Sequence, residues 1–273
     1  MNVILYLLRH IYRKILSPIY RRFDEVNEEI KKLYTLFPVY LEYKKCNERK
    51  KVIYTCISGK YDDLRQHTYV NLDYDYICFT DNEEMLKFKE IGFWKIRKME
   101  YTKLNNTKNS RWHKTHPHIL FPYYEESIWI DANINIVTGY LFDLITQENK
   151  YKIRIPLHDE RNCIYQEINA VLKDRRDTKE AIGKIFELLK EKKFPKKYGL
   201  NETNIIYREH NNKDIIKIMD LWWEMIEHYS QRDQLSLSYI LWEMGITPDD
   251  IGIPNARIDK VNYKHYDHTF ERL

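Results

Sequence analysis

Trp129-Ile130-Asp131-Ala132-Asn133-Ile134 delivers a carboxylate and, two positions on, an amide oxygen to the end of an apolar run. Two hard oxygens at that spacing can share one divalent cation and leave its other positions to diphosphate oxygens. Asp and Asn there can equally be plain turn formers. Upstream, Arg111 and Lys114 stand three apart on one helix face. They suit a diphosphate, the Arg through its planar fork and the Lys as a point charge, unless the face is merely solvated. Asp81 closes Ile77-Cys78-Phe79-Thr80. Its carboxylate can accept from a base N–H or a ribose hydroxyl, or cap a helix over Glu83–Lys89. His158-Asp159-Glu160-Arg161 leads to Cys163, Tyr165 and Glu167 and suits an acceptor or a sugar, or a capped helix start. Arg232-Asp233-Gln234 opens an apolar helix, where Asp is expected as a cap in any case. His265 and His268 lie in a polar tail and offer a third metal ligand. GxGxxG, P-loop, HExxH and GxSxG patterns are absent, which leaves dehydrogenases, P-loop NTPases, zincins and α/β-hydrolases unsupported.

Short elements must position these groups. Val52–Ile57, Asp75–Thr80, Phe93–Arg97, Ser127–Ile130, Lys152–Leu157 and Thr203–Tyr207 read as strands. Ser110–Leu120, Ile164–Leu172, Thr178–Lys192, Asp214–Tyr229 and Arg232–Met244 read as helices. This alternation implies a mostly parallel α/β sheet with helices on both faces. Ligands of such sheets sit beyond the carboxyl ends of the strands, where Ser58, Asp81, Asp131 and His158 fall.

The chain has 273 residues, 43% of them hydrophobic and 14% aromatic, enough for one sizeable α/β domain and against disorder. Its four cysteines form no CxxC pair, so neither a zinc ribbon nor a disulfide framework is indicated, and buried thiols in a reducing compartment are expected. The net charge is only +4, and its distribution is uneven. Residues 1–51 carry 12 Lys or Arg against 6 Asp or Glu. The basic excess therefore sits outside the body of the chain, which argues against a nucleic-acid partner. Residues 1–50 form a separate segment and 51–273 the main domain. Ile4, Leu8, Ile11, Ile15 and Ile19 make one helical stripe with Arg9, Arg13 and Arg22 off it. The uninterrupted apolar run Val3–Leu8 is too short to cross a bilayer. A basic amphipathic helix on an anionic membrane surface is expected, with an oligomerisation helix as the alternative, since Phe23, Val26, Ile30, Leu33 and Phe37 extend the periodicity. The expected location is cytoplasmic, peripheral on the inner face of the cell membrane.

Taken in order, the blocks resemble a known family. They are Tyr54-Thr55 with Gly59-x-Tyr61-Asp62-Asp63, Cys78–Asp81, Ser110-Arg111-x-x-Lys114-x-x-Pro117-His118 and Ser127–Ile134. They continue with His158-x-x-Arg161-x-Cys163-x-Tyr165-x-Glu167, Arg208-x-His210, Trp222-Trp223 and Arg232–Ser236. Over about residues 52–245 the series resembles GT-A-fold nucleotide-sugar glycosyltransferases, most nearly the plant mucilage-related glycosyltransferase-like family and its bacterial polysaccharide-locus members. Two departures are Ala132, where Gly is expected, and Asn133, where many relatives carry Asp.

The resemblance implies a GT-A-like, Rossmann-like fold and transfer from a nucleotide-sugar, in first place a UDP-sugar, to a glycan or lipid-linked acceptor hydroxyl. It implies a divalent cation, manganese or magnesium, held by Asp131, Asn133 and His265. Thr55, Ser58, Tyr61, Asp81, Arg111 and Lys114 would serve the donor, and His158, Arg161, Glu167 and Arg232 the acceptor or sugar. Asp233 would stand at the reacting centre as base or sugar-positioning group, with Gln234 beside it. A metal-dependent, ceramidase-like hydrolase and a non-catalytic sugar-binding scaffold are the competing expectations.

Overall fold

The computed structural model describes residues 50–59 and 61–268, together with Arg22. The chain divides between Glu48 and Arg49, and every described residue except Arg22 belongs to the second unit. The expectations for the amphipathic stripe, the second periodic stretch and Cys46 lie outside the described residues.

Strand β1 (Lys51–Ile57) leads to β2 (Tyr74–Thr80), a one-turn α1 (Glu83–Leu86) and the hairpin of β3 (Glu90–Ile91) and β4 (Trp94–Lys98). Helices α2 (Asn106–Thr115) and α3 (Pro117–Leu120) precede β5 (Glu126–Ile130), β6 (Ile134–Ile136) and α4 (Tyr140–Ile145). Next come β7 (Ile153–Pro156), α5 (Ile164–Lys173), α6 (Lys179–Glu191) and β8 (Ile205–Arg208). Helices α7 (Lys213–His228) and α8 (Asp233–Glu243), then β9 (Gly252–Ile253) and β10 (Tyr263–His265), complete the domain.

Eight of these strands form one sheet in the order β3-β4-β2-β1-β5-β8-β7-β9, while β10 pairs with β6 alone. β4, β2, β1 and β5 run parallel. β8 runs antiparallel between β5 and β7. From β1 the chain steps to β2 on one side and later to β5 on the other, so strand order reverses at β1. A crevice opens at the carboxyl ends of strands where the order reverses in this way.

Alternation along β1 divides the core in two. Val52, Tyr54 and Cys56 pack with Ile168, Ile185, Trp222 and Leu237, which come from α5, α6, α7 and α8. Ile53 and Ile57 face the opposite side, against Leu141 and Phe142 of α4 and Ile134, Ile136 and Tyr263 of the small β6–β10 sheet. The expected α/β sheet with helices on both faces is thus observed, with one face covered by α4 and the small sheet together.

Three local expectations are corrected. The helix expected over Ser110–Leu120 is two helices, because Pro117 disfavours helical dihedrals at His116, which has φ −118° and ψ 43°. α1 is capped by Asn82, whose side chain accepts from the Glu84 and Met85 amides, and not by Asp81. The helix expected at Glu83–Lys89 stops after one turn at Leu86.

Candidate functional site

A cavity of about 580 Å³ lies at the carboxyl ends of β1 and β5. Tyr61, Arg111, Asp131, Asp233, Gln234 and His265 are among the side chains lining it. They come from five separate stretches of chain and converge because β1 and β5 are neighbours and α2 and α8 start beside them.

On one wall, Asp233 opens α8 without a side-chain cap on that helix. Its carboxylate turns instead to cations. Lys114 Nζ donates to Asp233 Oδ2 at 2.7 Å, Arg111 Nε lies 3.0 Å from the same oxygen, and Thr203 Oγ1 donates at 3.0 Å. The Lys114 and Asp233 side chains are 0% and 1% exposed. Burial opposes the charge on Asp233, but Arg111, Lys114 and Arg232 outweigh it and hold the carboxyl well below the usual carboxylate range. Such a carboxylate stays ionised and is a poor proton acceptor. Lys114 stands behind this pair and does not line the cavity, whereas Arg111 does.

Beside Asp233, sharing the Lys114 ammonium, Asp131 follows β5 and is 27% exposed. Its Oδ1 accepts from Trp129 Nε1 at 2.7 Å and lies 3.7 Å from Lys114 Nζ. His265 reaches the same wall because β10 pairs antiparallel with β6, opposite Ile134. Burial first, then Arg257 and His268, lower the His265 pKa, so its ring is neutral at pH 7, with Nε2 3.3 Å from Asn133 Nδ2. A carboxylate and a neutral imidazole facing one cavity fit a divalent ion that also takes phosphate oxygens. Asn133 is 3% exposed and lies outside the lining, its amide turned to Tyr266.

The nucleoside side of the expectation separates into two parts. Asp81 accepts from Ser58 Oγ at 2.9 Å and from the Gly59 amide at 2.9 Å, fixing a loop that Gly59 turns with φ +64°. Ser58, Asp81 and the buried Thr55 therefore shape the rim without lining the cavity. Tyr61 does line it, with its ring 4.4 Å from that of His268.

His158, Arg161 and Glu167 gather in an adjoining annex of about 170 Å³, which shares Glu202, Arg232, Gln234 and Arg257 with the main cavity. Arg161 Nε donates to Glu167 Oε2 at 2.7 Å, Arg257 Nε to Glu202 Oε1 at 3.0 Å, and Gln234 Nε2 to Glu202 Oε2 at 3.1 Å. His158, Asp159 and Glu202 offer ligand atoms within 4.8 Å of one another. However, His158 Nδ1 already accepts from the Glu160 and Arg161 amides, and Nε2 faces the Arg161 guanidinium at 3.2 Å. Asp131 Oδ1 and His265 Nε2 are likewise engaged, by Trp129 and Asn133, so the annex is a second candidate cation site beside them. Glu202, Thr203 and Arg257 carry no spacing signal in the sequence. Glu202 and Thr203 join the site because β8 inserts beside β5, and Arg257 because it follows β9, which pairs with β7.

Residues 39–253 match the family described as TOD1/MUCI70, glycosyltransferase-like domain. The chain belongs to this family. Its motifs over 52–245 had already pointed there, and membership supports glycosyl transfer as the general chemistry. Among curated proteins none matches. Among solved structures, the chain is similar to one titled WbbM bifunctional glycosyltransferase, apo structure, at 11% identity and a TM-score of 0.41. That match covers 72% of this chain and 38% of the other.

Proposed function

We propose that the domain transfers a glycosyl unit from a nucleotide-sugar, in first place a UDP-sugar, to an acceptor hydroxyl. The observation that carries this reading is that Asp131 and His265 line a single cavity together with the Arg111–Asp233 pair, the two aspartates sharing Lys114. Asp131 and His265 would hold manganese or magnesium. The ion supplies charge neutralisation for a departing diphosphate. Arg111 lines the same space and adds a planar cation to that end of the donor. Tyr61 offers a ring face to the base.

Asp233 is the group set at the reacting centre. Its two cations keep it ionised, so it accepts hydrogen bonds from sugar hydroxyls and faces an oxocarbenium-like transition state as a fixed anion. The expectation left it as base or positioning group, and the ion pair favours positioning. Gln234 lies beside it, its amide held by Glu202 and Arg232, and the annex around His158, Arg161 and Glu167 takes acceptor hydroxyls. Paired carboxylates and guanidiniums suit a polyhydroxylated ligand, since hydroxyls both donate and accept.

The acceptor we assign is a glycan or lipid-linked glycan in surface polysaccharide or glycolipid assembly, met at the inner face of the cell membrane through the basic amphipathic segment of residues 1–50. Among the described residues no helix is long and apolar enough to cross a membrane. Thermal-shift measurements with UDP, GDP and CDP, each with and without Mn²⁺, test the core of the proposal. A nucleotide-specific, metal-dependent rise in melting temperature is expected. Stabilisation by metal alone would favour a hydrolase, and no response to either would favour a scaffold.

A further inference from the structure

Asn133 is the expected second cation ligand, yet its polar atoms meet Tyr266 and His265 of the segment that follows β9. The Tyr266 amide donates to the Asn133 main-chain carbonyl at 2.9 Å, and the side-chain Nδ2 of Asn133 donates to the Tyr266 carbonyl at 3.0 Å. The same Nδ2 lies 3.3 Å from His265 Nε2. A main-chain carbonyl only accepts, so the orientation of the amide is dictated by its partner. Beyond this junction the tail crosses the cleft. Arg65 stacks on the Tyr266 ring at 4.5 Å, and His268 Nδ1 lies 2.9 Å from Asp62 Oδ1 with its ring against Tyr61. Beyond the main-chain pairing of β10 with β6, one buried side-chain amide therefore ties the turn after Asp131 to the segment that carries His265 and meets Tyr61.

We propose that Asn133 is not a cation ligand but a positioning residue that clamps the C-terminal segment over the donor cleft. This rests on the nucleotide-sugar reading for its ligand. A carboxylate at this position would set a charged oxygen against the Tyr266 carbonyl, with no proton to bridge them.

The two roles order the variants in opposite ways. For a metal ligand, Asn133→Asp binds Mn²⁺ and UDP as well as or better than the native chain, and Asn133→Ala worse. For a clamp, Asn133→Ala binds UDP with Mn²⁺ about tenfold more weakly, and Asn133→Asp more weakly still. Titration calorimetry with UDP and Mn²⁺ on the full chain reads the order. Amide hydrogen exchange over residues 263–268 reads the clamp itself and should quicken in both variants. His265→Gln, as a ligand variant, should lose UDP binding with tail exchange near native. Native or tighter binding by Asn133→Asp overturns the clamp, as does unchanged tail exchange in Asn133→Ala. The Ala variant decides alone if the Asp variant does not fold. Should the native chain bind no UDP with Mn²⁺, the nucleotide-sugar reading fails, and tail exchange in the two Asn133 variants still decides the clamp.

Discussion

Lowering the pH from 7.5 to 5 should destabilise the domain far more than its near-neutral charge suggests. His67, His113, His116 and His210 are all buried, and burial lowers each pKa to about 4. Geometry enforces neutrality at His113. Its Nδ1 meets the Asn109 carbonyl at 2.8 Å and must donate, while Nε2 accepts from the Glu100 amide at 2.9 Å. A second proton would remove the latter bond. His67 likewise accepts from the Ile136 amide through Nδ1. In the unfolded chain these rings titrate near 6.5, so falling pH protonates the unfolded state first. The stabilisation is complete above about pH 6.5 and is lost as pH falls toward 4. At pH 5 each ring accounts for up to about 2 kcal/mol, and relaxation around a protonated ring reduces the total for four to roughly 3 kcal/mol or somewhat more. For a domain of this size that is a drop of roughly 6–12 °C in melting temperature. Scanning fluorimetry at constant ionic strength from pH 7.5 to 5 measures it. His113→Gln should flatten the slope by about a quarter. A melting temperature constant within about 2 °C over that range would refute the reasoning.

Asp131→Ala should abolish turnover and Mn²⁺-dependent UDP binding with little change in melting temperature, since the side chain lies at the cavity wall; calorimetry and an assay of released UDP check both. Lys114→Met leaves the buried Asp233 with Arg111 and Thr203 and should cost about 3–5 kcal/mol of stability, read by urea unfolding, with a loss of activity beyond what the unfolded fraction explains. Asp233→Asn strands both cations and should lower melting temperature and turnover together, whereas loss of a simple helix cap would cost only about 1 kcal/mol. The full chain should sediment with anionic vesicles and not with neutral ones, and a chain starting at residue 50 with neither; if the shortened chain instead changes from oligomer to monomer by light scattering, the segment is an assembly helix.

The fold was largely legible because its strands are β-branched runs with turn residues behind them, as in Val52–Ile57 before Ser58-Gly59. β6, β9 and β10, three residues or fewer, are too short for a periodicity to register. The antiparallel entry of β8 was not legible either, because a run such as Ile205–Tyr207 is buried on both faces in either direction. That single reversal brings Glu202 and Thr203 to the cavity.

Charge pairing at the site was the least legible part, because it depends on contacts far apart in sequence. Arg111 and Lys114 share a helix face, which suggested one job for both. The structure separates them by depth: Arg111 reaches the cavity, and Lys114 is enclosed against Asp233, 119 positions away. Asp233 looked like a cap, since a carboxylate in the first turn of a helix is favourable in any protein. What marks it is that the carboxylate on the first residue of α8 faces two cations and leaves the helix without a side-chain cap. An acid taken off capping and locked as an anion at a cavity wall gains nothing for the helix end that a Ser or Asn would not supply. Its placement is explained by what enters the cavity, and a ligand that develops positive charge as its bond to a diphosphate breaks is the one that placement fits.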